Sequence, residues 1–295
     1  MEWELYHNSF SLCSKKVRVC MAELGLEYLS HPIDLIETGR YQNVSRAFLA
    51  VNPAGTVPVL VHRGRTVYES HEQIVYAAAH AGERGHTLLP EDPETRALVQ
   101  TWVDCASLVG DDPTHGTELR AGHCVPGLTV PIFAAMVRYI PYRKILFGLL
   151  FHPHKQRPLV FATLKARGIH RLPGLAPAMA LLARSREHMG GHLDALGAQL
   201  SRSGGPWIAG ADFTLADVSW VVILDRLAEV DWGEHFWGGG RRPAVAAYWQ
   251  RLRARPSFAL AIESQRCENT SKGIADVKRA KRDDPALRAA LEGSG

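Results

Sequence analysis

The sequence predicts a two-part chain, a small α/β sheet domain followed by an all-helical domain. Three observations carry this prediction. Between Trp3 and Ala79, short apolar runs with strand alternation exchange with segments of helical spacing. A charged, glycine-containing passage, GERGHTLLPEDPETRA, then interrupts the pattern. From Ala97 onward the apolar spacing is helical and no hairpin signal recurs. With 295 residues, 46% hydrophobic and 22% charged, the chain can build one or two substantial cores and lacks a disordered composition. Its net charge of +4, from 34 basic and 30 acidic residues, is too small to argue for a nucleic-acid partner.

The first half can be followed element by element. WELYH reads as a strand, and Lys15 to Leu24 as a helix with Val17, Met21 and Leu24 at helical spacing and Gly25 at its C-cap. EYLSHPIDL reads as a second strand, and Thr38 to Val51 as an irregular helical segment. VPVLVH and TVYE form a third and fourth strand around a hairpin turn at Arg63-Gly64-Arg65, and Ser70 opens a helix over HEQIVYAAAHAG. The order is βαβ, then α, then ββα. It gives a mixed four-stranded sheet covered by three helices, a thioredoxin-like arrangement. Residues 1–83 are assigned to this domain, 84–96 to a linker and 97–262 to the all-helical domain with a long central insertion. The charged tail, 263–295, is expected to be a solvated helix or poorly ordered.

The chemistry points to the turn between the first strand and the first helix. A helix leaves its first N–H groups without internal partners, and its dipole places partial positive charge there. A thiol or hydroxyl at that mouth, here Ser11, Cys13 or Ser14, is a candidate catalytic group, because cysteine pKa values at such positions fall from about 8.5 to about 3.5–7.5. Lys15, Lys16 and Arg18 are expected to add positive charge nearby. The plainer alternative is that the serines cap the helix and the cysteine is a small apolar residue. Five cysteines without regular spacing, and no leader at the start, imply a reducing, cytoplasmic setting. Cys13 and Cys20, about 10 Å apart along a helix, are too far apart to bridge.

The motifs LYHNSFSLCSKKVRV, NPAGTVPVL and YES together resemble the N-terminal half of the cytosolic glutathione transferase superfamily. The resemblance implies a cis proline at Pro58, backbone pairing of Val57 with the cysteinyl part of glutathione, and binding of the γ-glutamyl end by Glu69 and Ser70. WIAGADFTLADVSW resembles the buried capping box of that superfamily's helical domain, which makes Thr214 and Asp217 structural. The resemblance covers residues 1 to about 262. The long section between Gly110 and Arg184, and the ending WGGGRRPAVAAYWQRLRARPSF, look like the ganglioside-induced differentiation-associated branch. The SLCS turn looks closer to tetrachlorohydroquinone dehalogenase and maleylacetoacetate isomerase, in which a cysteine at this point takes part in catalysis.

The apolar section Val125 to Phe151 is broken by Pro131, Arg138, Pro141, Arg143 and Lys144, and a membrane-spanning helix needs about 20 predominantly apolar residues. No transmembrane segment is therefore expected, only weak contact with a membrane surface, or an apolar wall for substrate. Phe133, Met136, Tyr139 and Tyr142 are candidates for that wall, with ordinary core packing as the alternative. His115, His123, His152 and His154 do not fall at zinc-ligand spacing, so no metal is expected. The resemblance thus implies a homodimeric glutathione S-transferase that activates the thiolate of glutathione, its co-substrate, against an apolar electrophile. Two alternatives remain: Cys13-dependent thiol transfer, reductive dehalogenation or isomerisation, and a non-enzymatic protein that senses glutathione or binds partners.

Overall fold

The computed structural model describes residues 1–110, 112, 114–152 and 155–293; Asp111, Pro113, Pro153, His154, Ser294 and Gly295 lie outside the described residues. Four strands, β1 (Trp3–His7), β2 (Leu29–Pro32), β3 (Val59–His62) and β4 (Arg65–Val67), form one sheet in the order β2-β1-β3-β4. Strand β2 runs parallel to β1, β3 antiparallel to β1, and β4 antiparallel to β3. The helices of this half are α1 (Leu12–Leu24), a short α2 (Arg46–Leu49) and α3 (Ser70–Ala79). This is the mixed thioredoxin-like sheet read from the sequence. Gly25 ends α1 with φ at 62°, and Arg63 and Gly64, at 51° and 82°, make the tight β3–β4 turn.

The passage read as a linker is helical over much of its length. It holds α4 (Glu83–Leu88) and the start of α5 (Pro93–Cys105), where Asp92 accepts from the amide of Thr95 at 2.9 Å. The second half is helical: α6 (Ala121–Met136), α7 (Tyr142–Phe151), α8 (Gln156–Arg167), α9 (Ala176–Arg202) and α10 (Leu215–Glu229) precede α11 (Gly233–Trp237), α12 (Pro243–Arg253) and α13 (Pro256–Phe258). The capping box behaves as read. Asp217 Oδ2 accepts from the amide of Thr214 at 2.8 Å, while Oδ1 accepts from Tyr248 Oη at 2.7 Å, so this buried carboxyl is fully used in structure.

The tail corrects its expectation. Residues 268–292 form α14 (Glu268–Asp283) and α15 (Pro285–Glu292), which pack on α6 and α9. Composition misled because the buried stripe of α14 is built from Thr270, Gly273, Val277 and Ala280, residues too small to register as an apolar face. Gly273 lets α14 approach α6 so closely that an added Cβ would lie 2.4 Å from Met136 Cγ.

Helix α1 is the axis between the two halves. Its three cations are buried and paired in the interface rather than free at the helix mouth, although Arg18 also donates to the carbonyls of Asn8 and Ser9 in the turn before the helix. Lys15 Nζ reaches Asp225 at 2.6 Å and Glu229 at 2.7 Å, Lys16 reaches Ser107 Oγ at 3.2 Å, and Arg18 Nε donates to the carbonyl of Ala261 at 2.8 Å. Arg226 and Arg266 complete the Lys15 cluster at 2.9 Å from Glu229 and 2.7 Å from Asp225. Burial works against both carboxylates. Lys15 and Arg226 hold Glu229 well below the usual range, whereas burial and the facing Glu229 push Asp225 up. Burial also lowers Lys16 to about 8.

Two consequences can be measured. Lys15→Met removes the cation shared by the two buried carboxylates, leaving Asp225 to Arg266 and Glu229 to Arg226 and Arg266, and is expected to cost about 2–3 kcal/mol in urea unfolding. His7 is buried, accepts from Arg18 at 3.1 Å and is lowered to about 3 by burial first and by Arg18 second. The unfolded chain takes up this proton at its ordinary value and the folded chain does not. Stability present above pH ~6.5 is therefore lost as pH falls toward the folded value, by about 2 kcal/mol between pH ~7 and pH ~5. Denaturant unfolding at both pH values should show this, and His7→Gln should flatten that part of the slope.

Candidate active site

The β1–α1 turn is built by Asn8. Its side-chain carbonyl accepts from the amides of Phe10 and Ser11 at 2.9 and 3.0 Å, and its amide group donates to Ile33 O and Thr38 Oγ1. This clamp sets the direction in which α1 leaves the sheet. Ser11 is the N-cap and accepts from the amide of Ser14 at 3.3 Å. The amides of Leu12 and Cys13 fall in the first turn, where the helix offers no acceptor.

A second constraint fixes the loop before β3. The Val57–Pro58 peptide is cis, as the resemblance implied. Gln73, buried on α3, donates to Pro58 O at 3.0 Å and to Val67 O at 2.8 Å and so ties loop, hairpin and helix together. Glu69, just ahead of α3, has φ 58° and ψ 118°, a conformation that costs a non-glycine residue about 1–3 kcal/mol. Such an outlier points to a side chain held for a purpose.

These elements open onto one cleft of about 720 Å³ between the two halves. Ser11, Cys13, Val57, Pro58, Glu69 and Ser70 all line it. The opposite wall comes from α6, α8 and α10, where Phe133 meets Phe10 at 5.7 Å and Phe161 at 5.3 Å, each edge-on. Two cations border it. Arg226 lies 3.7 Å over the Phe10 ring, donates to Phe10 O and Glu229, and has donors to spare. Arg157 reaches across from α8 to the buried Glu37 at 3.0 Å.

Four expected site residues lie elsewhere. Ser14 is buried, its hydroxyl accepting from the amide of Asn8 at 3.1 Å, so it belongs to the frame of the turn. Met136 is spent on packing α14. Tyr139 donates to Asp276 at 2.6 Å, and Tyr142 is exposed with Lys165 4.8 Å from its ring. Helical spacing showed an apolar segment but not which face the cleft would use. Asn8, Gln73, Arg157 and Arg226 carry little local signal, because each is tied to the site through a partner in another segment: Ile33 and Thr38, Pro58, Glu37 and Phe10. Only the NS pair at the turn carried a local signal, an Asx turn.

The comparisons agree with this geometry. Residues 10–80 match the model of the glutathione S-transferase N-terminal domain, and residues 179–251 that of the C-terminal domain. A tetrachloro-p-hydroquinone reductive dehalogenase of Sphingobium chlorophenolicum is 26% identical, over 88% of this chain and 95% of the relative. A 2,5-dichlorohydroquinone reductive dechlorinase of Sphingobium indicum is 29% identical, over 88% of this chain and 82% of the relative. Among solved structures, a β-etherase from a Sphingobium strain superposes with a TM-score of 0.68 at 20% identity, covering 90% of this chain and 100% of that one, which speaks for the fold alone. With a sheet, a cleft and a helical half that all agree with those matches, the chain belongs to the glutathione S-transferase superfamily, whose members bind glutathione and act as glutathione-dependent transferases or related enzymes.

Proposed function

We propose that the chain binds glutathione in this cleft and activates its thiol for attack on an apolar electrophile. The observation that carries this reading is the convergence of groups from three separate segments. Glu69 and Ser70, at the start of α3, suit the ammonium and carboxylate of the γ-glutamyl end, and the backbone at Val57 suits the cysteinyl part. The thiol then falls at the mouth of α1. Ser11 is the hydroxyl available there: its oxygen already accepts from the amide of Ser14, which leaves its hydrogen to donate to sulfur. The edge-on phenylalanines Phe10, Phe133 and Phe161 offer an apolar wall for the electrophile.

Cys13 supports a second reading. It is half-buried and lines the cleft, and dehalogenases are among the relatives. In that case the Cys13 thiolate attacks the sulfur of a glutathionyl conjugate: the carbon–sulfur bond breaks, the carbon leaves with the electron pair and takes up a proton, and a second glutathione reduces the resulting mixed disulfide and departs as glutathione disulfide. A homodimer in the cytoplasm is the assembly and setting proposed, as is typical of the family.

Calorimetry with glutathione should show binding by the wild type and Cys13→Ser, and binding weakened by about tenfold or more in Ser70→Ala. Absence of binding to the wild type overturns the proposal. Intact mass after exposure to glutathione disulfide separates the two readings. No adduct, with turnover lost in Ser11→Ala, supports hydroxyl activation. One glutathione on Cys13, absent from Cys13→Ser, supports thiol exchange.

A further inference from the structure

Residues 119–186 contain eleven Lys and Arg and no Asp or Glu. Against the total of +4, the rest of the chain therefore carries a net of −7. A mildly basic protein thus hides a strongly divided one. The structure shows what this stretch presents. Helix α6 is almost wholly buried, but α7, which follows after a bend of 113°, is not. Its Tyr142, Leu146, Phe147, Leu150 and Phe151 recur at intervals of one helical turn and are all exposed, Leu150 at 70% and Phe151 at 63%. Leu159 and Val160, on the adjoining α8, are exposed as well. Only the inner face of α7 is used: Ile145 and Gly148 are buried, and an added Cβ on Gly148 would lie 2.1 Å from the Tyr41 ring. Apolar exposure on this scale marks an interaction surface.

We propose that the α7–α8 pair docks on a membrane surface rich in anionic phospholipid. Charge complementarity chooses this occupant. Arg143, Lys144, Lys155 and Arg167 have no carboxylate partner among the described residues, and Arg138 comes only within 4.0 Å of Asp276. A second copy of the chain, placed by two-fold symmetry, would bring these uncompensated cations against themselves. A nucleic acid would satisfy the charges but leave the leucines and phenylalanines in water. An anionic bilayer takes both, with the aromatic and aliphatic side chains in the boundary of the acyl region and the cations among the headgroups. The pair lies on the membrane and does not cross it. No helix among the described residues is long and apolar enough to span, and the ten residues of α7 extend for about 15 Å.

The surface is continuous with the cleft, because the exposed Val160 also lines it. An apolar electrophile dissolved in the membrane would thus have its route to the cleft along α8. That corollary rests on the function proposed above; the docking itself does not.

Sedimentation of the full chain with vesicles tests the proposal. The wild type should pellet with phosphatidylserine-containing phosphatidylcholine vesicles and not with phosphatidylcholine alone. Binding should fade as salt rises to about 1 M, where the Debye length is about 3 Å. Arg143→Glu/Lys144→Glu and Leu150→Ser/Phe151→Ser should each weaken binding by roughly tenfold or more, with unchanged thermal melting and unchanged calorimetric response to glutathione. Equal pelleting with neutral vesicles, or no pelleting with anionic ones at low salt, overturns the proposal. So does a solution dimer that Leu150→Ser/Phe151→Ser dissolves, or retention on DNA without retention on vesicles. Loss of the glutathione response with vesicle binding intact would count against the proposed function and leave the docking standing.

Discussion

The cluster of Lys15, Asp225, Glu229, Arg226 and Arg266 is the constraint on which the rest of the structure depends. It joins the first turn of α1 to the C-terminal end of α10 inside the protein, where an ion is costly unless it is paired. The cleft has its base on one half and its roof on the other, so its shape is only as well defined as this joint. Arg226 serves both purposes, since it holds Glu229 on one side and borders the cleft on the other. A buried apolar interface of similar size would hold the halves together equally well. It would not set the Arg226 guanidinium at the border of the cleft that Ser11 and Cys13 also line.

A second layer of order is built from polar side chains that bind backbone. Asn8 fixes the turn into α1, Gln73 fixes the loop before β3, and Asp217 fixes the start of α10. Each replaces several possible loop conformations by one, at sites where strand and helix ladders have ended. The positive φ of Glu69 is tolerated within this frame. The cleft is therefore defined by rigid segments that meet at one place.

How much of this was legible depended on the range of the interactions. The cis Pro58 followed only from the family resemblance that the motifs carried, whereas the strands, Gly25, the hairpin at Arg63-Gly64 and the capping box at Thr214 and Asp217 were all readable, because each is set by residues within a few positions of one another. Lys15 was not, since its carboxylate partners lie more than two hundred residues away and a lysine beside a candidate thiol looks like part of a site. Ser14 failed for a related reason: three polar residues in a turn look alike, and only the direction of the first helical turn separates frame from cleft. Tyr139 and Met136 were assigned to the cleft because the resembled fold turns this apolar segment toward it, and helical spacing does not show which face is used; both instead meet α14, Tyr139 through Asp276 and Met136 through Gly273.

The division of charge also bears on arrival in the cleft. A molecule with positive charge gathered on one insertion and negative charge over the remainder has a large electric dipole, and Arg157 and Arg226 mark where that insertion and α10 border the cleft. Anions diffusing nearby experience a torque and a drift before any contact forms, and their encounters are concentrated at one opening. Glutathione is itself a net anion at neutral pH. For the glutathione binding proposed above, this division of charge gives the association rate a dependence on ionic strength that the contacts inside the cleft would not by themselves require.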